Sequence, residues 1–213
     1  MNVTKDKISS IFFQYSIPAV LGMLAISSAN IVDGFFIGNY VGDFGLAAIN
    51  ISFPIFSLLF GFALMLAIGS SVVSGKLIGQ GDIKSASIIF SKTMVCITLF
   101  SFITCTGLFL NIETVLYLFG ADENLTKIAI EYLSVILIFI PFLMIGVVLD
   151  YFVRVDNRPN LAFIALLFSA VINVILDWFL IVYLQKGIFG AALATGISQL
   201  ALIFILLPHF FSK

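Results

Sequence analysis

Six apolar runs, each about 20 residues or longer, follow one another with breaks too short to hold a domain between them. In lipid no water is available to the backbone, so such a run must satisfy its N–H and C=O groups internally, as a helix. The runs cover residues 12–37, 47–74, 86–110, 126–150, 160–184 and 188–207. The breaks are Gly38 to Gly45, Gly75 to Lys84, Asn111 to Asn124, Tyr151 to Pro159 and Gln185 to Gly187. Breaks of this length make neighbouring helices antiparallel. Composition removes the alternative of a water-soluble core: 62% of residues are hydrophobic and 10% charged, against about 25% charged in soluble domains. The expected fold class is an all-α membrane protein, a bundle of six transmembrane helices in which residues 1–213 form one unit.

The charges are informative by position. With the N-terminus inside, the inner ends hold Lys5, Lys7, Lys76, Lys84, Lys92, Arg154, Arg158 and Lys213, while the outer ones hold Lys127 and Lys186. That bias places both termini in the cytoplasm of a multi-pass cell-membrane protein. A net charge of −1 with no dense basic patch argues against nucleic acid as a partner. The first run is too long for a signal-peptide core and reads as a retained membrane helix. Cys96 and Cys105 share one run, about 13 Å apart along a helix, and read as small apolar filler.

Ionisable residues at membrane depth are costly and mark function by default. Asp33 lies in SANIVDGFFIG and Asp177 in VINVILDWFLIVY, with Asn173 one helical turn before Asp177 on the same face. Counting rise per residue puts Asp33 about 6 Å, Asp177 about 10 Å and Asn173 about 16 Å below the outer ends of their spans. Thr195 lies about 10 Å below the outer start of the sixth span. These four polar groups from three spans share the outer half of the bilayer. The blander reading has the aspartates solvated among outer headgroups and Thr195 bonded to its own helix. A buried carboxylate cluster takes up a proton, because burial disfavours charge, or holds Na+ with oxygen ligands alone. No other cofactor is expected.

Other polar positions read as structure. Asp82 looks like a helix N-cap, Pro159 suits a first helical turn, and Asp150, Arg154, Asp156 and Arg158 suit an inner turn with salt bridges. Pro18 removes a backbone bond early in the first span and predicts a bend there. Gly187, Ala191, Thr195 and Gln199 recur every four residues, which suits close packing of the sixth span.

Several stretches together resemble the multidrug and toxic compound extrusion (MATE) transporters, in particular their prokaryotic branch similar to DNA-damage-inducible protein F. They are SIPAVLGMLAISSANIVDGFFIGNYVG, SGKLIGQGD, FVRVDNRP, NVILDW and GIFGAALATGISQ, in order along the chain. The resemblance implies outward transport of amphipathic, often cationic, small molecules coupled to inward movement of Na+ or protons. It also implies a coupling-ion site in the N-terminal lobe at Asp33, Asn173, Asp177 and Thr195. Family members have two such lobes, so 213 residues correspond to an N-terminal half, paired with a C-terminal lobe or a second copy.

Two further readings are a lipid-linked saccharide flippase of the same superfamily and a non-transporting truncated membrane subunit. A flippase would be expected to carry more cations toward the outer half, where only Lys127 and Lys186 stand. An enzyme is not expected. The Gly-x-Gly-Asp pattern of intramembrane aspartyl proteases occurs at Gly79, Gly81 and Asp82, in a polar loop, and the one histidine, His209, lies at an inner end.

Overall fold

The computed structural model describes residues 8–211, so Lys5, Lys7 and Lys213 of the charge count lie outside the described residues. All elements among them are helical. In chain order they are α1 (Ile8–Tyr40), α2 (Asp43–Gly79), α3 (Ile83–Leu110), α4 (Ile112–Leu118), α5 (Glu123–Val155), α6 (Pro159–Asp177), a π-helical segment (Trp178–Tyr183), α7 (Gly187–Leu206) and α8 (Pro208–Phe211). Six of these stretches are long and apolar enough to cross a membrane. The chain is a multi-pass membrane protein. We call the end at which α1 starts the near end and the opposite one the far end.

The helices run further than the apolar runs alone suggest, because polar residues at their ends cap or continue them. α1 reaches Tyr40, and the expected break from Gly38 to Gly45 shrinks to a turn at Val41 and Gly42, where Gly42 adopts φ 90 that side chains rarely accept. α3 starts at Ile83 because the Asp82 carboxylate accepts the Ser85 backbone N–H at 3.0 Å. That bond holds the Asp82 carboxyl below its usual range, so the cap is present at neutral pH and lost only as pH falls through the lowered value. The break at Asn111 to Asn124 is not simply a loop: it contains α4, whose Leu116 is fully buried while Leu118 is 82% exposed. Pro159 occupies the first turn of α6, and Arg158 before it is held outside the α region at φ −125.

α5 is the hub. It packs on α2, α3 and α7, and its buried positions occur all round the helix, from Leu133 through Ile136, Ile140 and Met144 to Phe152. α2 meets it along Ala48, Ser52, Ile55, Leu59, Ala63, Ala67, Ser71 and Ser74, a stripe at helical spacing rich in small side chains. Small residues suit a membrane interior, where lipid gives apolar side chains no reason to leave it and close van der Waals contact must hold helices together. α6 lies between α7 and α1, and α1 leans chiefly on α6 while touching α2 only sparsely.

The near end carries the expected polar cluster, rearranged. Arg154 makes two 3.0 Å bonds to the Asp150 carboxylate one turn back on α5, so this pair belongs to the helix and not to the turn. Asp156 instead meets His209 of α8. Asn157, at φ 62, accepts the Tyr15 hydroxyl at 2.8 Å and ties the start of α1 to the α5–α6 turn.

Candidate functional site

α1 and α6 both run toward the far end and lie in step. A Cβ on Gly22 would stand 2.8 Å from Leu166 Cδ1, so the absence of a side chain there lets the two helices touch. Asp33 and Asp177 have the same sequence offset as Gly22 and Leu166, and their carboxyl groups are neighbours that feel each other's charge. Because α1 continues to Tyr40, Asp33 is about 10 Å from its helix end. A helix ending at residue 37 would set it shallower. Both aspartates therefore sit at one depth.

The surroundings are apolar. Asp177 is 0% exposed, and both of its carboxyl oxygens, together with Asp33 Oδ1, have no hydrogen-bond donor among the described residues. Ile37, Ile181, Ile188 and Ala191 form a buried cluster on the far side of the pair. Two facing carboxylates without donors repel when both are charged, and a proton or a cation would relieve that repulsion.

Asn173 is buried one turn below Asp177 and has no side-chain hydrogen bond to any described residue. Thr195 is half-buried on α7, four residues beyond Ala191, which belongs to the far-side cluster. Its hydroxyl has no bond to its own helix among the described residues, contrary to the bland expectation for a lone threonine. The structure adds Tyr132 of α5, which packs against the Ile37, Ile181, Ile188 and Ala191 cluster and stands close enough to feel the charge of both aspartates. Nothing in the sequence singles it out: it is one of 6 tyrosines in a chain that is 15% aromatic. Directly after Asp177 the helix widens into the π segment, and α7 returns so tightly that a Cβ on Gly190 would stand 3.2 Å from the Leu180 carbonyl carbon. π segments of this kind recur at functional sites in proteins. Gly190, and not Gly187 of the expected small-residue stripe, makes the close approach. Pro18 lies within α1, which is helical on both sides of it.

The family model MatE matches residues 18–179, a stretch that includes Pro18, Asp33, Asn173 and Asp177. The chain belongs to the MatE family. Among MatE relatives, the multidrug export protein MepA of Staphylococcus saprophyticus is 28% identical over 209 residues, covering 96% of this chain and 46% of its own length. MepA of Staphylococcus aureus strain MSSA476 is 24% identical over 206 residues, covering 97% and 46%. A crystal structure of MATE in complex with MaD3S superposes with a TM-score of 0.88 at 25% identity, over 92% of this chain and 44% of that one. This MatE chain spans about half the length of the curated relatives it matches.

Proposed function

We propose that this chain acts as the N-terminal lobe of a cation-coupled multidrug efflux antiporter, in which Na+ or a proton occupies the pocket between Asp33 and Asp177. The observation that carries the reading is the facing pair of carboxyls with three donor-less oxygens in an apolar setting. A site built in this way has a deficit of one positive charge, and the binding of a cation is worth most where nothing else neutralises the pair. Asn173, Thr195 and Tyr132 would complete the coordination or the proton relay with oxygen atoms, a donor set suited to a hard cation. Amphipathic, cationic small molecules are the proposed cargo, in keeping with relatives that are multidrug export proteins.

The near end faces the cytoplasm in this reading, since Lys76, Lys84, Lys92, Arg154 and Arg158 lie toward it. The far end carries only Lys127 and Lys186 as basic residues among those described, both exposed. That is a poor match to the cationic cavity expected of a lipid-linked saccharide flippase. The partner of the lobe is a second lobe or a second copy of the chain.

The test is efflux of a fluorescent cationic dye from vesicles holding a complete transporter whose N-terminal half is this chain, under an imposed Na+ or proton gradient. Gradient-driven efflux is expected from the natural sequence, and Asp33→Asn and Asp177→Asn should each abolish it. Normal coupled efflux from both variants would overturn the reading.

A further inference from the structure

Below the carboxyl pair, one hydrogen bond behaves unlike its neighbours. Buried hydroxyls in this bundle usually satisfy themselves on the preceding turn of their own helix: Ser52 bonds the Ala48 carbonyl, Ser71 that of Ile68, Thr93 that of Ile89 and Ser101 that of Thr98. Ser169 does not. Its Oγ crosses from α6 and donates to the Ser198 carbonyl oxygen of α7 at 2.8 Å, with Ser169 4% and Ser198 2% exposed. The Ser198 hydroxyl then donates to the Thr195 carbonyl at 2.7 Å.

Such a bond fixes an axial register. α6 and α7 are antiparallel, so each step toward the far end on α6 is matched by a step toward the start of α7. From the Ser169 and Ser198 contact, one turn brings Asn173 level with Ala194 and Thr195, and a second brings Asp177 level with Gly190 and Ala191. Just beyond, Gly190 approaches Leu180, three residues on from Asp177, where the helix has widened into the π segment. A slip of one turn would displace Thr195 by about 5.4 Å, past the reach of the site. Much of the rest of this face is small, with Ala162, Ala165, Ala191 and Ala194, while Leu166, Leu202, Ile203 and Leu206 pack together on the near side of the contact.

We propose that Ser169 is a positioning residue for the cation site: by holding the Ser198 carbonyl it sets α7 so that Thr195 stands level with Asn173, one turn below Asp177. The inference rests on the coupling-site reading given above, and its test separates the two. Trp178 is the one tryptophan of the chain, follows Asp177 directly and is 53% exposed, so its emission reports on cation-linked changes in the helix that carries the site. The purified chain in lipid nanodiscs is titrated with NaCl at constant ionic strength, and separately with acid, for the natural sequence, Ser169→Ala, Ser169→Thr, Thr195→Ala and the Ser169→Ala, Thr195→Ala double variant.

Ser169→Ala should weaken the titration midpoint by about 3-fold to 10-fold, in line with the measured strength of hydrogen bonds between membrane helices. Ser169→Thr, which keeps the hydroxyl, should restore it and serves as the folding control. The double variant should be no weaker than Thr195→Ala alone, because Ser169 acts through Thr195. An unchanged midpoint in Ser169→Ala, or losses that simply add in the double variant, would overturn the inference while leaving the site reading intact. Emission from the natural sequence that answers to neither Na+ nor acid would overturn both.

Discussion

The aspartate pair is expensive for the fold. A carboxylate at the centre of a lone membrane helix costs about 3 kcal/mol on insertion scales, and here two of them face each other with three oxygens lacking a donor. If Asp177 holds the proposed cation, function and stability pull in opposite directions at that residue. Asp177→Asn removes the like-charge repulsion and supplies an amide that donates to Asp33, so it should raise stability by about 1–3 kcal/mol in Na+-free buffer at alkaline pH, where both carboxyls are ionised. Thermal unfolding of the purified chain measures this, and a lowered midpoint would contradict it. Both aspartates were legible in the sequence, because an ionisable group inside an apolar run has few bland explanations. Tyr132 was not, since a tyrosine in a membrane helix gives no sign of which side chains it packs against. Ser169 was hidden for the same reason: only the orientation of α6 against α7 shows that its hydroxyl leaves its own helix.

At the level of elements, the helices divide by what their glycines touch. A Cβ on Gly196 of α7 would lie 2.2 Å from Phe139 Cδ2 of α5, a contact that no rotamer of a single methyl group relieves. Gly107 of α3 has nothing within 4 Å of its added Cβ. Alanine is favoured over glycine in a helix interior by up to about 1 kcal/mol, whereas overpacking costs about 1–3 kcal/mol. Gly196→Ala should accordingly destabilise the bundle, while Gly107→Ala should leave it unchanged or stabilise it slightly. Unfolding midpoints of the two variants in the same detergent check the contrast. Helix existence was readable from the length of the apolar runs, because lipid demands about 20 residues per crossing. Their ends were less so: the cap at Asp82 was readable, but Asp122 caps α5 just outside its apolar run, and α4 is too short for hydrophobic periodicity to announce it. The π segment leaves no mark either, since its composition is that of any apolar stretch.

For the whole molecule, the order of the helices in space differs from their order in the chain. α5 is enclosed by α2, α3 and α7, whereas α1 lies outermost against α6 and is buried over 17% of its most apolar window, compared with 61% for α5. Local opening should follow the same ranking. In detergent, amide hydrogens of α1 on the near side of Asp33 should exchange before those of α5 between Leu133 and Val148; the reverse order would contradict the packing. The sequence could not reveal this ranking, because both helices are long and apolar and only the packed structure distinguishes lipid from protein as their neighbour.

The pairing of α1 with α6 also has a consequence in time. Asp33 and Asp177 are separated by most of the chain, and translation at about 5–20 residues per second delivers the second roughly 7 to 30 s after the first. Through that interval α1 must stay in the bilayer with its carboxyl unpaired, so the late arrival of α6 makes the first span the point at which biogenesis of this protein is most easily lost.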